Sequence, residues 1–131
     1  MEDDVITIEF GDLFAYNLNF NFQSKKTFIE FGEIITETSK PTKRILFHEI
    51  VWQEFSEFDL TNIFNTIEID HDFDLFYKKH IDYFQRMKNY ISEHKMSEIK
   101  SDKNIYYTFL QTCGFNCFVI VQQEIEIQVI D

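Results

Sequence analysis

The stretch DFDLFYKKHIDYFQRMKNYISEHK, residues 72–95, decides the fold class. Phe73, Phe76, Tyr77, Ile81, Phe84, Met87 and Ile91 recur at spacings of three and four, which puts them on one face of a helix. Asp72 and Asp74 stand where the first turn begins, at the positive end of the helix dipole, and Lys95 stands near the negative end. The spacing predicts one long helix over about residues 72–95.

Everything around that helix reads as strand. Residues 15–23 alternate: Tyr16, Leu18, Phe20 and Phe22 share one face, and Asn17, Asn19, Asn21 and Gln23 share the other. A period of two with polar partners marks a half-buried strand. Residues 4–10 read as a shorter strand, stopped by a Gly11–Asp12 turn. Ser24–Lys26 connects residues 15–23 to a strand over 27–36, making a hairpin. A polar loop over 37–43 leads to a strand over 44–52, then an irregular acidic and aromatic stretch over 53–59. Residues 62–69 fit a short strand or a helical turn. After the helix come a charged loop (96–103) and three strands, 105–112, 115–122 and 124–130, read as a meander. Helix segregated from antiparallel strands is the α+β class. The expectation is a single domain over 1–131: a curved antiparallel sheet of about six to eight strands, with the helix packed across one face.

Size and composition support a self-sufficient core. A chain of 131 residues buries roughly two-thirds of its unfolded surface and needs no disulfide or metal to fold. Sixteen Phe and six Tyr among 44% hydrophobic residues exclude a disordered chain. The start, Met1-Glu2-Asp3-Asp4, is acidic where a secretory leader is basic, and no apolar run reaches the length of a membrane helix. A cytoplasmic location with reduced thiols is the expectation.

The charge narrows the partners. Twelve basic against 23 acidic residues give a net charge of −11. Such a field repels phosphate backbones and anionic lipid, so nucleic acid and membrane surfaces are disfavoured and a basic protein is favoured. The charge is also segregated. Residues 45–74 hold eight acids and no Lys or Arg, whereas residues 75–103 hold seven bases and four acids. Within the acidic stretch Trp52, Phe55 and Phe58 interleave with Glu54, Glu57 and Asp59. Aromatic anchors ringed by carboxylates suit a cationic protein site. The plainer alternative turns these aromatics into the core. With Asp70, Asp72 and Asp74 they make up the candidate partner-binding set, and the carboxylate excess is expected on one presented face.

Catalytic and cofactor signals are weak. Asp70, His71, Asp72 and Asp74 are hard-cation ligand types, but their spacing lacks the glycine and closing glutamate of a calcium loop, and helix-start charge is the simpler account. Cys113 and Cys117 have neither the two-residue spacing nor the second pair of a zinc site. His48, His71, His80 and His94 stand near no recognisable nucleophile motif. With Gly11, Gly32 and Gly114 the only glycines, no phosphate-cradling loop exists. No catalytic residue, metal or cofactor is assigned.

Three segments carry a family resemblance: Ile45–Trp52, the Asn-containing Thr61–Ile67, and a closing hairpin from Tyr107 through Gly114 to Val121. With the early hairpin, chain length and acidity, they resemble the small acidic immunity proteins of bacterial polymorphic-toxin systems, of the YxiG-like type. The Lys-containing helix departs from that pattern. The resemblance implies a protein that binds and blocks a cognate toxin, often a basic nuclease. It carries over no binding residues, because such proteins vary most where they touch the toxin. The alternatives are a small-ligand protein or enzyme with a pocket between sheet and helix, and a homodimer built on sheet-edge pairing.

Overall fold

The strand marked by the Tyr16–Phe22 alternation starts earlier than the sequence suggests. In the computed structural model, which describes residues 6–56, 61–113 and 116–130, β1 spans Ile6–Asn21 without interruption. Gly11, at φ 75°, lies where β1 slips register against its neighbour, between Glu9 and Leu13. The expected Gly11–Asp12 turn is therefore a bulge: the left-handed glycine bends the strand instead of ending it.

That bend shapes the molecule. The first half of β1 pairs with β5 (Ile63–Asp70), from Ile6↔Ile69 to Phe14↔Ile63. The second half pairs with β2 (Lys26–Gly32), from Phe14↔Gly32 to Asn21↔Lys26. One strand thus serves two half-sheets. The remaining strands are β3 (Lys43–Phe47), β4 (Ile50–Ser56), β6 (Ile105–Cys113), β7 (Asn116–Val121) and β8 (Glu126–Val129). The eight form one antiparallel sheet in the order β4-β7-β6-β5-β1-β2-β3-β8.

The sheet folds over on itself, and its inner face holds the larger core. Phe10 and Phe31 from one part meet Phe64 and Phe109 from the other, mostly edge to face, with ring centroids 5.0–5.9 Å apart. Such pairs add roughly 0.5–1.5 kcal/mol each beyond area burial. Tyr107 reaches across this layer from β6, and its hydroxyl accepts from the Ile125 N–H at 3.2 Å, just before β8.

Two strand expectations change here. Residues 44–52 are two strands, because Glu49 adopts φ 56° and the chain turns a corner at His48–Glu49. β3 stays beside β2, while β4 crosses to the far edge beside β7. The closing meander is half right. β6 and β7 pair as a hairpin, but β8 leaves β7 and pairs with β3. Strand 27–36 ends at Gly32, and residues 62–69 resolve as strand β5.

The single long helix is not observed. Three short helices replace it: α1 (Phe73–Lys79), α2 (Ile81–Met87) and α3 (Glu93–Ile99). Asp72 caps α1 by accepting from the Asp74 N–H, and Ser92 caps α3 by accepting from the Lys95 N–H. At the α1–α2 break His80 sits at φ −124°, outside helical geometry. The break rotates the apolar stripe: Ile81 becomes 40% exposed, while Tyr83 and Phe84 are buried. Residues 93–99, expected to be largely loop, continue the helical layer as α3.

These helices cover part of the outer face of β4, β7 and β6, as the α+β reading requires. Phe76, Phe84, Ile91 and Ile99 pack on Tyr106, Phe118 and Ile120 to form a second core. Buried Asn104 ties α3 to the strands. Its amide donates to the Glu98 and Ile99 carbonyls at 2.8 Å each, and it accepts from Gln122 Nε2 at 3.1 Å.

Candidate functional site

The break between α1 and α2 produces the most structured polar site among the described residues. At the end of α1, Lys79 points down to β5. Its Nζ lies 2.7 Å from Asp70 Oδ2 and 3.0 Å from Glu68 Oε1. These two residues alternate with Ile67 and Ile69, which face the inner core, so Glu68 and Asp70 emerge on the helix side. Burial works against the Lys79 charge, but hydrogen bonds to Asp70 and Glu68 outweigh it and hold the pKa above the ordinary lysine value.

His80 follows directly. Its ring lies between Phe76 and Phe118, with centroids 4.7 Å away on each side. Nε2 is 2.9 Å from the Thr108 hydroxyl. Burial, reinforced by the Lys79 charge and only partly opposed by Glu68, lowers the His80 pKa from 6.5 to about 4. The imidazole is therefore neutral at pH 7 and fixed by the hydroxyl.

Beyond His80 none of the described helices covers the outer sheet face. A groove of about 540 Å³ opens there, walled by His80, Tyr83 and Arg86 and floored by Thr108, Leu110 and Phe118. Leu110 is 39% exposed on this floor, beside exposed Ile81. Glu54 on β4 and Asp82 on α2 complete the rim. Neither enters an ion pair among the described residues. Arg86 lies over the Tyr83 ring at 5.9 Å. Burial first, then a contribution from the Glu54 charge, raises the Tyr83 pKa, while its bond from Trp52 lowers it.

The structure separates the sequence candidates. Trp52 is half-buried in the helix layer and donates from Nε1 to the Tyr83 hydroxyl at 2.8 Å. Glu54 reaches the groove. Phe55 points to the opposite sheet face, where it meets Phe20 at 5.2 Å. The aromatic pair Trp52 and Phe55 therefore straddles β4 and does not form one anchor patch. Glu57, Phe58 and Asp59 lie outside the described residues. Asp70 is 5% exposed and neutralised by Lys79. Asp72 is the α1 cap, and Asp74 is exposed in its first turn, at the other end of α1 from the groove.

The unpaired carboxylates are also not confined to one face. Glu33 follows the end of β2, while Glu49 lies near its start, where the Ile50 N–H bonds to the Lys25 carbonyl at 3.2 Å. Residues that sequence reasoning passed over (Lys79, Thr108 and Arg86) help build the site. Glu68, Lys79 and Thr108 come from three elements and carry no shared motif.

Among the described residues no group of three or more His, Cys, Asp or Glu is arranged to hold a metal ion. Cys117 is free and buried, and burial raises its pKa well above the ordinary thiol value, which keeps it protonated and unreactive. Among the described residues no helix is long and apolar enough to cross a membrane. No protein-family model, curated protein or solved structure matches the chain significantly.

Proposed function

We propose that this chain is a binding protein of the immunity type, which neutralises a basic bacterial toxin by direct association. The observation that carries the reading is the net charge of −11, from 23 acidic against 12 basic residues. Glu30, Glu68, Asp70 and Glu98 have cationic partners in Arg44, Lys79 and Lys95, and Glu126 meets the His48 ring. Among the described residues Glu33, Glu37, Glu49, Glu54, Asp82 and Glu124 enter no ion pair, and neither do nine of the twelve Lys and Arg, so the acidic excess persists beside free cations. A surface with that surplus attracts a cationic protein from a distance and raises association toward ~10⁸ M⁻¹s⁻¹ at low salt. A location in the cytoplasm, where such a toxin would act, belongs to the same reading.

The test is co-expression with the basic C-terminal domain of a large secreted protein encoded beside this gene. Rescue of growth and co-purification support neutralisation, and absence of a complex even at low salt contradicts it. The triple substitution Glu54→Lys, Glu57→Lys and Asp59→Lys should weaken the complex and flatten its salt dependence. Unchanged affinity would remove that segment from the interface.

The groove also supports a second reading, as a small-ligand or enzyme site. Its volume lies within the roughly 300–1,000 Å³ of ligand pockets, and the His80–Thr108 pair supplies convergent polar groups. A small molecule that binds there with 1:1 stoichiometry, and no protein partner, would favour it.

A further inference from the structure

Among the exposed apolar surfaces of the described residues, charge separates two as seats for a partner. One is the β1–β2 hairpin tip, where Phe20 and Phe22 stack at 5.9 Å and Phe22 is 80% exposed. Exposed Lys25 and Lys26 stand beside it. That charge repels a basic partner.

The other is the groove at the α1–α2 corner. Exposed Leu110 and Ile81 supply its apolar contact. Four carboxylates, Glu54, Glu68, Asp70 and Asp82, stand against two cations, Lys79 and Arg86, for a local net charge of −2. Lys79 is held by two of those carboxylates, and Arg86 lies over Tyr83. Glu54 and Asp82 are left to face a ligand, with the single unpaired cation Arg86 on the wall among the described lining residues.

The shape of the site favours a helix. The outer sheet face already carries a helical layer over Tyr106, Phe118 and Ile120, and the layer stops at Leu110. An apolar floor rimmed by acids matches a helix with an apolar stripe and basic flanks.

We propose that the groove floored by Leu110 and rimmed by Glu54 and Asp82 seats a basic amphipathic helix of the protein this chain neutralises. The assignment rests on the neutralisation reading and names its contact surface. Partner arginines or lysines meet Glu54 and Asp82, and partner leucine-type side chains cover Leu110 and Ile81.

The test uses a synthetic 16-residue peptide with a leucine stripe flanked by arginines, and a scrambled peptide of equal composition. Trp52 is the only tryptophan and bonds to Tyr83 at the groove wall, so its emission reports occupancy. The amphipathic peptide should bind at least tenfold more tightly than the scrambled one. Leu110→Glu and Glu54→Lys should each raise Kd tenfold or more with unchanged far-UV circular dichroism, and Phe22→Ser should leave it unaltered. Glu54→Gln, which preserves shape, should raise it two- to fivefold. Equal binding of both peptides, or Kd within twofold in Leu110→Glu and Glu54→Lys, would overturn the assignment. A cognate toxin domain that binds Leu110→Glu at wild-type affinity would also overturn it, yet leave neutralisation standing. Peptide capture in the groove without any neutralised protein would support the groove and remove the larger reading.

Discussion

Protonating His80 should weaken the fold over a defined pH window. The ring is packed between Phe76 and Phe118, beside Lys79, and its pKa is about 4 in the folded chain against 6.5 for the ordinary group. Between those values the unfolded chain binds a proton that the folded chain refuses. Stability is therefore full above about pH 6.5 and is lost as pH falls toward 4. For a single site, the loss from pH 7.5 to pH 4.5 is about 2.5 kcal/mol. The assay is urea unfolding of the wild type and His80→Gln at half-unit pH steps. Gln removes the titration, so the difference between the two stability curves isolates His80, whatever the constant offset of the substitution. The wild type should lose about 2.5 kcal/mol more than the variant across the window. Parallel curves would refute the burial argument and mean that the imidazole reaches solvent.

Other substitutions test the frame around the groove. Lys79→Met leaves Asp70 buried without its cation and should cost about 3 kcal/mol in urea unfolding, whereas an exposed pair would cost under about 1 kcal/mol. Gly11→Ala meets no atom within 4 Å at the new Cβ, so it should cost only the left-handed backbone strain, about 1–2 kcal/mol, visible as a lower Tm. Phe76→Ala opens a cavity between α1 and the sheet and should cost about 3–5 kcal/mol, measured by chemical denaturation.

Local pattern made the elements readable and left their assembly hidden. The Tyr16–Phe22 alternation marked the second half of β1, but a glycine before an aspartate reads the same in a turn as in a bulge. Only the pairing of Leu13 and Phe14 with β5 distinguishes the two. The apolar stripe of residues 73–91 correctly marked a helical layer. Its break at His80 went unseen because no Gly or Pro marks it, and a histidine drawn down between two Phe rings leaves no trace in a periodicity. The corner at Glu49 was hidden for the same reason, since its positive φ falls on a residue other than glycine. The departure of β8 to β3 runs against the preference of consecutive strands to pair, and Gln122–Ile125 is as short as a hairpin loop. For the site, the acidic bias around Glu54 was legible. The Lys79–Asp70 pair and the His80–Thr108 bond depend on which residues face the helix layer, so they appear only once sheet register is known.

The most direct measurement is the association rate with the cognate basic domain as a function of ionic strength, followed by stopped-flow emission of Trp52. If unpaired carboxylates steer the encounter, the rate constant falls at least tenfold between 20 and 300 mM salt, and the double substitution Glu54→Lys with Asp82→Lys makes that fall shallower. A rate indifferent to salt in the wild type would contradict electrostatic capture of a cationic partner.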